Sequence, residues 1–230
     1  MKLRGEVLIN FMYDHINRFI EHADSGISDQ MNSLMGGPDW RKEFEASLQN
    51  GLSREDAILE TYKHRLKLLG GYKYVSSIRI MKPMHERSYF HLIYGTQALP
   101  GIQAFSQVEK KVAEEQQLIR ARVKEREDVK KSNQIPMFGS DVLPMRQEWF
   151  DVEKQSALHR ATQMFLRIMA KEGRVLYDEV LGQVIEIPLV WESDLKTLIA
   201  SAEKNGDLSI ENKKPRQRVA AIGNFLIWHG

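Results

Sequence analysis

The chain opens with a short apolar run that turns directly into a helical pattern. Val7, Leu8, Ile9 and Phe11 form a run of strand length, and a polar, helical stretch begins at Asp14. Such a run is typical of a strand covered on both faces, as in the parallel sheets of α/β proteins. Because a strand of this kind needs neighbours on both sides, we expect the chain to be the latter part of a larger unit whose front half is missing or supplied by another chain.

A polar, glycine-containing stretch comes after the first helix. Residues 23–40 include Gly26, Gly36, Gly37 and Pro38, which favour turns over regular structure. The pattern therefore predicts a loop or a lid over the sheet in this segment.

Two helices are predicted next. The first is short, from Trp40 to Gln49, and the second begins after Ser53 and ends near Gly70. Ser53 is a favourable N-cap, and Glu55 and Asp56 place negative charge in the first turn, where the helix dipole favours it. Helical spacing predicts the buried face of the second helix to contain Ile58, Tyr62, Leu66 and Leu69.

Two strands follow, from Tyr74 to Met81 and from Ser88 to Tyr94. Pro83 breaks the pattern between them, and the connection has the length of a hairpin. We therefore expect the two strands to be antiparallel neighbours.

A charged segment links the two halves of the chain. The helix that opens at Pro100 continues to about residue 131 with Glu, Lys and Arg closely mixed. A solvated connecting helix with internal ion pairs explains this mixture best, and a helix facing a partner or a nucleic acid is the alternative. Residues 132–144 contain Asn133, Pro136 and Gly139, which predict an interdomain linker.

The remaining residues predict three helices followed by a basic hairpin. The helices are expected over Val152–Lys171, Val175–Ile187 and Glu192–Asn205. Asp207–Ile222 then contains a short apolar strand, a basic turn with a proline, and a second apolar strand. This order of elements predicts a winged helix-turn-helix.

Two segments resemble the three-Cys-motif partner (TcmP) family. They are VLINFMYDHINRF, residues 7–19, and YFHLIYGTQALPGIQAF, residues 89–105. In that family a methyltransferase-like α/β half comes first and a small winged-helix domain closes the chain. The resemblance covers most of this chain but only the latter part of the family's pattern.

The resemblance implies an α/β (α+β) chain in three parts. Residues 1–131 would form an incomplete methyltransferase-like sheet, residues 132–144 a linker, and residues 145–230 a winged helix-turn-helix. It also implies a bacterial protein, often linked to mobile elements, that works with a three-Cys-motif protein. S-adenosylmethionine is the cofactor such a fold suggests, but the family's glycine-rich turn and Asp-Pro-Phe-Gly segment are not in this sequence. We therefore expect no cofactor and no catalysis from this chain alone.

Composition narrows the chemistry further. The sequence has 230 residues, no cysteine and a formal net charge of +2. The lack of cysteine excludes disulfides and thiolate catalysis and argues against a structural zinc site, and no histidine spacing suggests a metal site. No apolar run approaches the roughly 20 residues that span a bilayer. We expect a cytoplasmic protein without a membrane partner, and any attraction to nucleic acid must be local.

The strongest local charge signal lies in the basic hairpin. Four cations fall within six residues, and two lysines lie on the preceding helix: Lys213, Lys214, Arg216, Arg218, Lys196 and Lys204. Such groups can neutralise the phosphates of DNA or RNA. The alternative is a hairpin that packs or binds protein, and the helix lacks the Arg, Asn or Gln pattern that reads base edges. A nucleic-acid-binding adaptor is therefore the rival to a three-Cys-motif partner, and a module that docks proteins on an open sheet edge is a third hypothesis.

Two polar residues are candidates for a site in the first half. Asn10 and Asp14 lie at the carboxyl end of the first strand, where open α/β sheets bind ligands. The simpler interpretation is that Asp14 caps the helix that follows, and the catalytic residues, if there are any, stay unknown.

Overall fold

The computed structural model describes residues 5–20, 24–132 and 148–230, and within them the chain has a mixed α/β architecture with two small antiparallel sheets. The elements in chain order are β1 (Val7–Phe11), α1 (Tyr13–Phe19), α2 (Ser25–Leu34), α3 (Trp40–Gln49), α4 (Arg54–Gly70), β2 (Tyr74–Met81), β3 (Ser88–Thr96), α5 (Leu99–Ser132), α6 (Glu148–Glu172), β4 (Arg174–Leu176), α7 (Tyr177–Val184), α8 (Glu192–Asn205), β5 (Leu208–Glu211) and β6 (Phe225–Trp228). The chain divides into two compact units. The first unit comprises Met1–Met81 and Arg87–Ile102, and the second unit comprises Lys82–Glu86 and Gln103–Gly230.

The sheet of the first unit has the order β1-β3-β2, with β3 antiparallel to both neighbours. The predicted antiparallel pair is confirmed. The expectation that β1 is a parallel strand covered on both faces is wrong for the described residues, because β1 pairs antiparallel with β3 and Leu8 is 62% exposed. A five-residue apolar run fits an edge strand as well as a central one, and only pairing distinguishes the two.

The core of the first unit forms where the helices cover one face of this sheet. Phe11, Val75 and Ile93 are buried on the strands, and Ile58 is buried on α4. The rings of Phe11 and Tyr62 lie 4.8 Å apart. Burial of each large apolar side chain contributes about 1.5–3 kcal/mol, so this face fixes the register of β1.

The loop predicted for residues 23–40 is wrong for most of its described part, because α2 occupies Ser25–Leu34. Asp24 caps the helix, and its Oδ1 accepts hydrogen bonds from the backbone N–H groups of Gly26 at 2.8 Å and Ile27 at 3.2 Å. The glycines that suggested a loop lie at the helix ends, since Gly26 is in the first turn and Gly36 has a φ of 73° just beyond the last one. Residue 23 lies outside the described residues.

The predictions for α3 and α4 are confirmed. Ser53 Oγ accepts a hydrogen bond from the Asp56 N–H at 3.1 Å, and Gly71, with a φ of 72°, caps the end of α4 after Gly70. Ile58 and Tyr62 are buried as predicted, whereas Leu69 is half exposed.

The second unit contains a sheet of order β4-β6-β5, both pairs antiparallel. The helices α6 and α8 occupy the predicted places. The predicted helix over Val175–Ile187 is shorter than expected, because Val175 pairs with Leu226 in the sheet before α7 begins. The second strand of the hairpin is also misplaced in the prediction, since β6 begins at Phe225 rather than ending at Ile222.

The charged helix is continuous from Leu99 to Ser132, as predicted. Its residues from Gln103 onward belong to the second unit, together with the β2–β3 connection. The buried Arg120 of this helix contacts that connection, because its Nη1 donates to the backbone carbonyls of Lys82 and, at 2.9 Å, of His85. The domain boundary at residue 131 stays a prediction. Of the predicted linker, residues 132–144, only Ser132 is described, and it is the last residue of α5; residues 133–144 lie outside the described residues.

Candidate nucleic-acid interface

The connection between β5 and β6, residues 212–224, carries most of the predicted basic residues, and we name it the basic loop. It turns through left-handed backbone conformations at Asn212, with a φ of 62°, and at Arg216, with a φ of 67°. Asparagine adopts this region readily, whereas for arginine it costs on the order of 1 kcal/mol. The loop therefore requires other contacts to hold its shape.

Asn224 supplies those contacts from inside the loop. Its side chain is 3% exposed, Nδ2 donates to the Asn212 carbonyl at 2.8 Å, and Oδ1 accepts from the Ala221 N–H at 2.8 Å. The Gln217 amide also donates to Asn224 Oδ1, and Gln217 Oε1 accepts from the Lys214 N–H at 2.9 Å. These bonds join the two ends of the loop to its tip.

Three cations project from this ordered loop. Lys214, Arg216 and Arg218 are exposed, and none of them has an anionic partner among the residues that the structure describes. Three positive charges on one short, braced segment produce a local positive field although the chain as a whole is almost neutral.

The other predicted cations differ in their pairing. Lys213 Nζ lies 2.5 Å from Glu203 Oε1, and Lys196 Nζ lies 2.7 Å from Glu192 Oε1. Lys204 is exposed in the last turn of α8 and has no acidic partner within the described part of the chain. The six predicted residues thus separate into four available cations and two that neutralise acids of α8.

The acidic residues at the start of α8 are neutralised as well. Asp194 forms an ion pair with Lys154, and its Oδ2 accepts from the Trp191 N–H at 2.8 Å. Lys154 Nζ also donates to the Leu189 carbonyl at 2.6 Å and lies 3.6 Å from the Trp191 ring centroid. Burial lowers the pKa of Lys154, and its contacts with Asp194 oppose that shift. The charge of Asp194 is therefore balanced by Lys154 and does little to repel a nucleic acid.

Glu192, the first residue of α8, is also neutralised by an internal cation. Burial would raise the pKa of its carboxyl group, but the hydrogen bond and charge of Lys196 outweigh burial, and the pKa lies below its ordinary value. Tyr177 Oη also donates to Glu192 Oε1 at 3.1 Å. Glu192 is thus ionised at neutral pH and is occupied by internal partners.

The two candidates of the first unit lie in a different setting. Asn10 is exposed on β1, and Asp14 Oδ1 accepts from Arg87 Nη2 at 2.7 Å in an ion pair. No side chain of Met12 or its neighbours caps α1 by a hydrogen bond, so the interpretation of Asp14 as a cap is replaced by its pairing with Arg87. A ligand-binding role for Asn10 and Asp14 stays a prediction.

A polar network in the first unit escaped the sequence analysis. Glu55 Oε1 accepts from Ser88 Oγ and, at 2.8 Å, from His91 Nε2, while Arg79 Nη2 lies 3.3 Å from Glu55 Oε2. Arg79 Nε donates to Ser88 Oγ at 2.6 Å. The sequence indicated Glu55 only as a first-turn acid, because its partners come from strands more than 20 residues away.

Burial and partners have opposite effects on Glu55. Burial would raise the pKa of its carboxyl group, but hydrogen bonds from His91 and Ser88 and the charge of Arg79 outweigh burial, so the pKa is lowered. His91 is 2% exposed, and its Nδ1 has no partner within the described residues. Since the carboxylate accepts from three side chains of β2 and β3, the network ties α4 to these two strands.

Other classes of site find no support in the described ranges. No group of three or more His, Asp or Glu side chains there is placed to hold a metal ion. No helix within those ranges combines the length and apolarity needed to cross a membrane. The cytoplasmic location stays a prediction.

Comparison of the chain with protein-family models, with curated proteins and with solved structures returned no match. Function is therefore inferred from the residues and their geometry.

Proposed function

We propose that the second unit is a winged helix that binds the phosphate backbone of a nucleic acid through the basic loop and the end of α8. The sequence of elements from α6 to β6 supports this: a helix, a strand, two helices and a two-stranded hairpin, with the first strand joining the sheet beside the last. The observation that carries the proposal is the basic loop itself, which presents Lys214, Arg216 and Arg218 unpaired on a hydrogen-bonded frame.

Phosphate binding is the chemistry that suits these groups. A lysine or arginine that neutralises a phosphate releases condensed counterions, so affinity falls steeply as salt is added. Because the loop is already held by Asn224 and Gln217, binding costs little ordering of the backbone. A protein partner with an acidic surface would use the same charges, and the experiment below separates the two.

The test is a fluorescence-anisotropy titration of labelled duplex with the full chain and with K214Q/R216Q/R218Q. The triple variant is expected to lose at least about tenfold in affinity and to show a shallower salt dependence. The matched control is K111Q/K124Q/R126Q, which removes three exposed cations of α5 and the same net charge. Equal losses in both variants, or no binding by the parent chain, would contradict the proposal.

A second candidate function concerns the first unit. We propose that it is the end of a methyltransferase-like sheet and that the chain works with a three-Cys-motif protein without catalysing a reaction itself. The strand order favours this, because β3 runs antiparallel between β1 and β2, and β1 has one edge without a partner among the described strands. A parallel strand added at that edge would make these three strands the end of a larger sheet.

Co-purification with a three-Cys-motif protein tests this second candidate. L8E places a charge at an exposed position of β1 and is expected to weaken the complex, whereas L68E, at a similarly exposed position of α4, is not. Equal retention of the partner by L8E would argue against docking at β1. Micromolar binding of S-adenosylmethionine to the chain alone, measured by calorimetry, would contradict the absence of a cofactor site.

A further inference from the structure

We propose that the nucleic acid bound by the second unit is B-form duplex DNA, contacted without regard to its sequence. The inference rests on the proposed function of that unit and specifies its ligand. Four features support it. The outer face of α8 has short side chains, and an ion pair connects α8 to the basic loop. That face lacks the side chains that read base edges, and the aromatic rings near the loop pack against other side chains.

The outer face of α8 consists of short side chains. Ser193, Thr197, Ala200 and Ser201 are exposed at helical spacing and lie on one side of the helix, with Lys204 continuing the same face. Short side chains allow the helix backbone to approach a second surface closely. The major groove of B-form DNA, about 12 Å wide, admits a helix of this kind.

An ion pair joins the last turn of α8 to the basic loop. Glu203 lies in the last turn of α8, and Lys213 lies at the start of the loop, with Glu203 Oε1 and Lys213 Nζ 2.5 Å apart. The pair neutralises Glu203 and connects the loop to the last turn of α8, where the next residue, Lys204, is exposed. Because Lys204 directly follows Glu203, we take the cations of the loop and of the helix end together as one surface, suited to the phosphates that border a groove.

The same face lacks the side chains that distinguish bases. Its members are hydroxyls, a methyl group and one lysine, and Thr197 Oγ1 already donates to the Ser193 carbonyl at 3.0 Å. Arginine with guanine, and asparagine or glutamine with adenine, make the bidentate contacts that specify sequence. Binding here therefore depends on the backbone and its charge.

The aromatic side chains near the loop are occupied. Arg174 covers the Phe225 ring at 3.5 Å, and Trp228 packs edge-on against Phe165 at 6.4 Å between centroids. The exposed apolar side chains of the loop, Val219 and Ile222, are aliphatic. Single strands are usually held by stacking bases on aromatic faces, so this surface is poorly suited to them.

Duplex RNA is disfavoured by the shape of its grooves. The A-form major groove is deep and narrow, and protein side chains cannot read it, whereas a helix and a flanking basic loop need a wide groove bordered by phosphates. The short side chains of α8 cannot extend to the base edges at the bottom of such a groove. B-form DNA is therefore the ligand that matches both elements at once.

The test is a competition experiment with the full chain and a labelled random-sequence DNA duplex of about 20 base pairs. Unlabelled DNA duplexes of different sequence are expected to compete within about threefold of one another, and the matching single strand and RNA duplex at least about tenfold less well. With four available cations, the logarithm of affinity should fall against the logarithm of salt concentration with a slope of about −3 to −4.

Two variants locate the contact on α8. T197E places a negative charge in the middle of the outer face and is expected to weaken duplex binding at least about tenfold. S156E, which adds the same charge at an exposed position of α6, should change binding less than about twofold.

The outcomes separate the two levels of the proposal. Failure of the chain to bind any nucleic acid would overturn the proposed function and this inference together. Binding that prefers single strands or RNA, or that selects one duplex sequence by more than about tenfold, would overturn only the inference. The same holds if T197E binds the duplex as tightly as S156E does.

Discussion

The Glu55 network of the first unit and the basic loop of the second place charged groups in opposite situations. Glu55 has a side chain 16% exposed and takes donors from Ser88, His91 and Arg79. The cations of the basic loop are exposed and unpaired within the described residues, although the backbone beneath them is equally well bonded. In the Glu55 network the charged groups bond to one another and hold the fold together. In the basic loop the charged groups remain available to a ligand.

This contrast teaches which charged residues deserve a functional hypothesis. Desolvated charges with several partners hold strands and helices together, and removal of one partner leaves the others unsatisfied. Exposed charges contribute little to stability, so their clustering on a braced loop is better explained by binding. Four experiments test this division, from the largest expected effect to the smallest.

The largest effect is expected from loss of the Glu55 carboxylate. E55A leaves Arg79, Ser88 and His91 without their common acceptor, and it should lower the free energy of unfolding by about 2–4 kcal/mol. Urea denaturation followed by circular dichroism measures this, with E45A, at an exposed position of α3, as control. Equal stability of E55A and E45A would show that the network contributes nothing to the fold.

A smaller loss is expected when Asn224 is removed from the basic loop. N224A leaves the Asn212 carbonyl and the Ala221 N–H without their side-chain partners, at a cost of about 1–3 kcal/mol. The variant should also bind duplex DNA more weakly, because its cations no longer sit on a fixed frame. Denaturation and anisotropy check both effects against Q155A, an exposed position of α6, and unaltered affinity in N224A would show that loop order is irrelevant to binding.

The pH dependence of stability should identify Glu55 by its sign. A carboxyl group whose pKa is lower in the folded state stabilises the protein above its unfolded pKa and loses that contribution as pH falls through its folded pKa. Since the pKa of Glu55 lies below the ordinary value of 4.5, stability should fall as pH is lowered below that value. Denaturation across this range should show a shallower fall in E55Q, and parallel curves would contradict the assignment.

The smallest effect on stability is expected from the cations of the basic loop. K214Q/R216Q/R218Q should change the free energy of unfolding by less than about 0.5 kcal/mol, because these side chains are exposed and unpaired. Thermal unfolding of the triple variant beside the parent chain measures this. A loss of several kcal/mol would mean that the loop needs these charges for its own structure.

Some elements could be predicted from nearby residues in the sequence, and others could not. The helices α4 and α8 could be predicted because their acidic first turns and terminal glycines lie within the helix sequence or beside it. The α2 helix could not be predicted, because the glycines at its two ends are also typical of turns. The structure shows that Asp24 caps this helix. The edge position of β1 depends on β3, about 80 residues away in sequence, and no local pattern carries that information.

The same limit applies to the candidate interface. All six basic residues could be identified from their positions in the sequence. The pairing of Lys213 with Glu203 and of Lys196 with Glu192 leaves four cations available to a ligand. Asn224 was missed because its role depends on bonds to Asn212 and Gln217 across the loop. Sequence therefore identified the charges, and the structure was needed to show which of them are free.

The most direct test measures stability and duplex affinity together for two variants, E55Q and K214Q/R216Q/R218Q. Both are examined at a temperature where each is folded. We predict that E55Q loses stability and keeps its affinity for the duplex, whereas the triple variant keeps its stability and loses at least about tenfold in affinity. Loss of stability in the triple variant, or an undiminished affinity, would contradict the assignment of the basic loop to nucleic-acid binding.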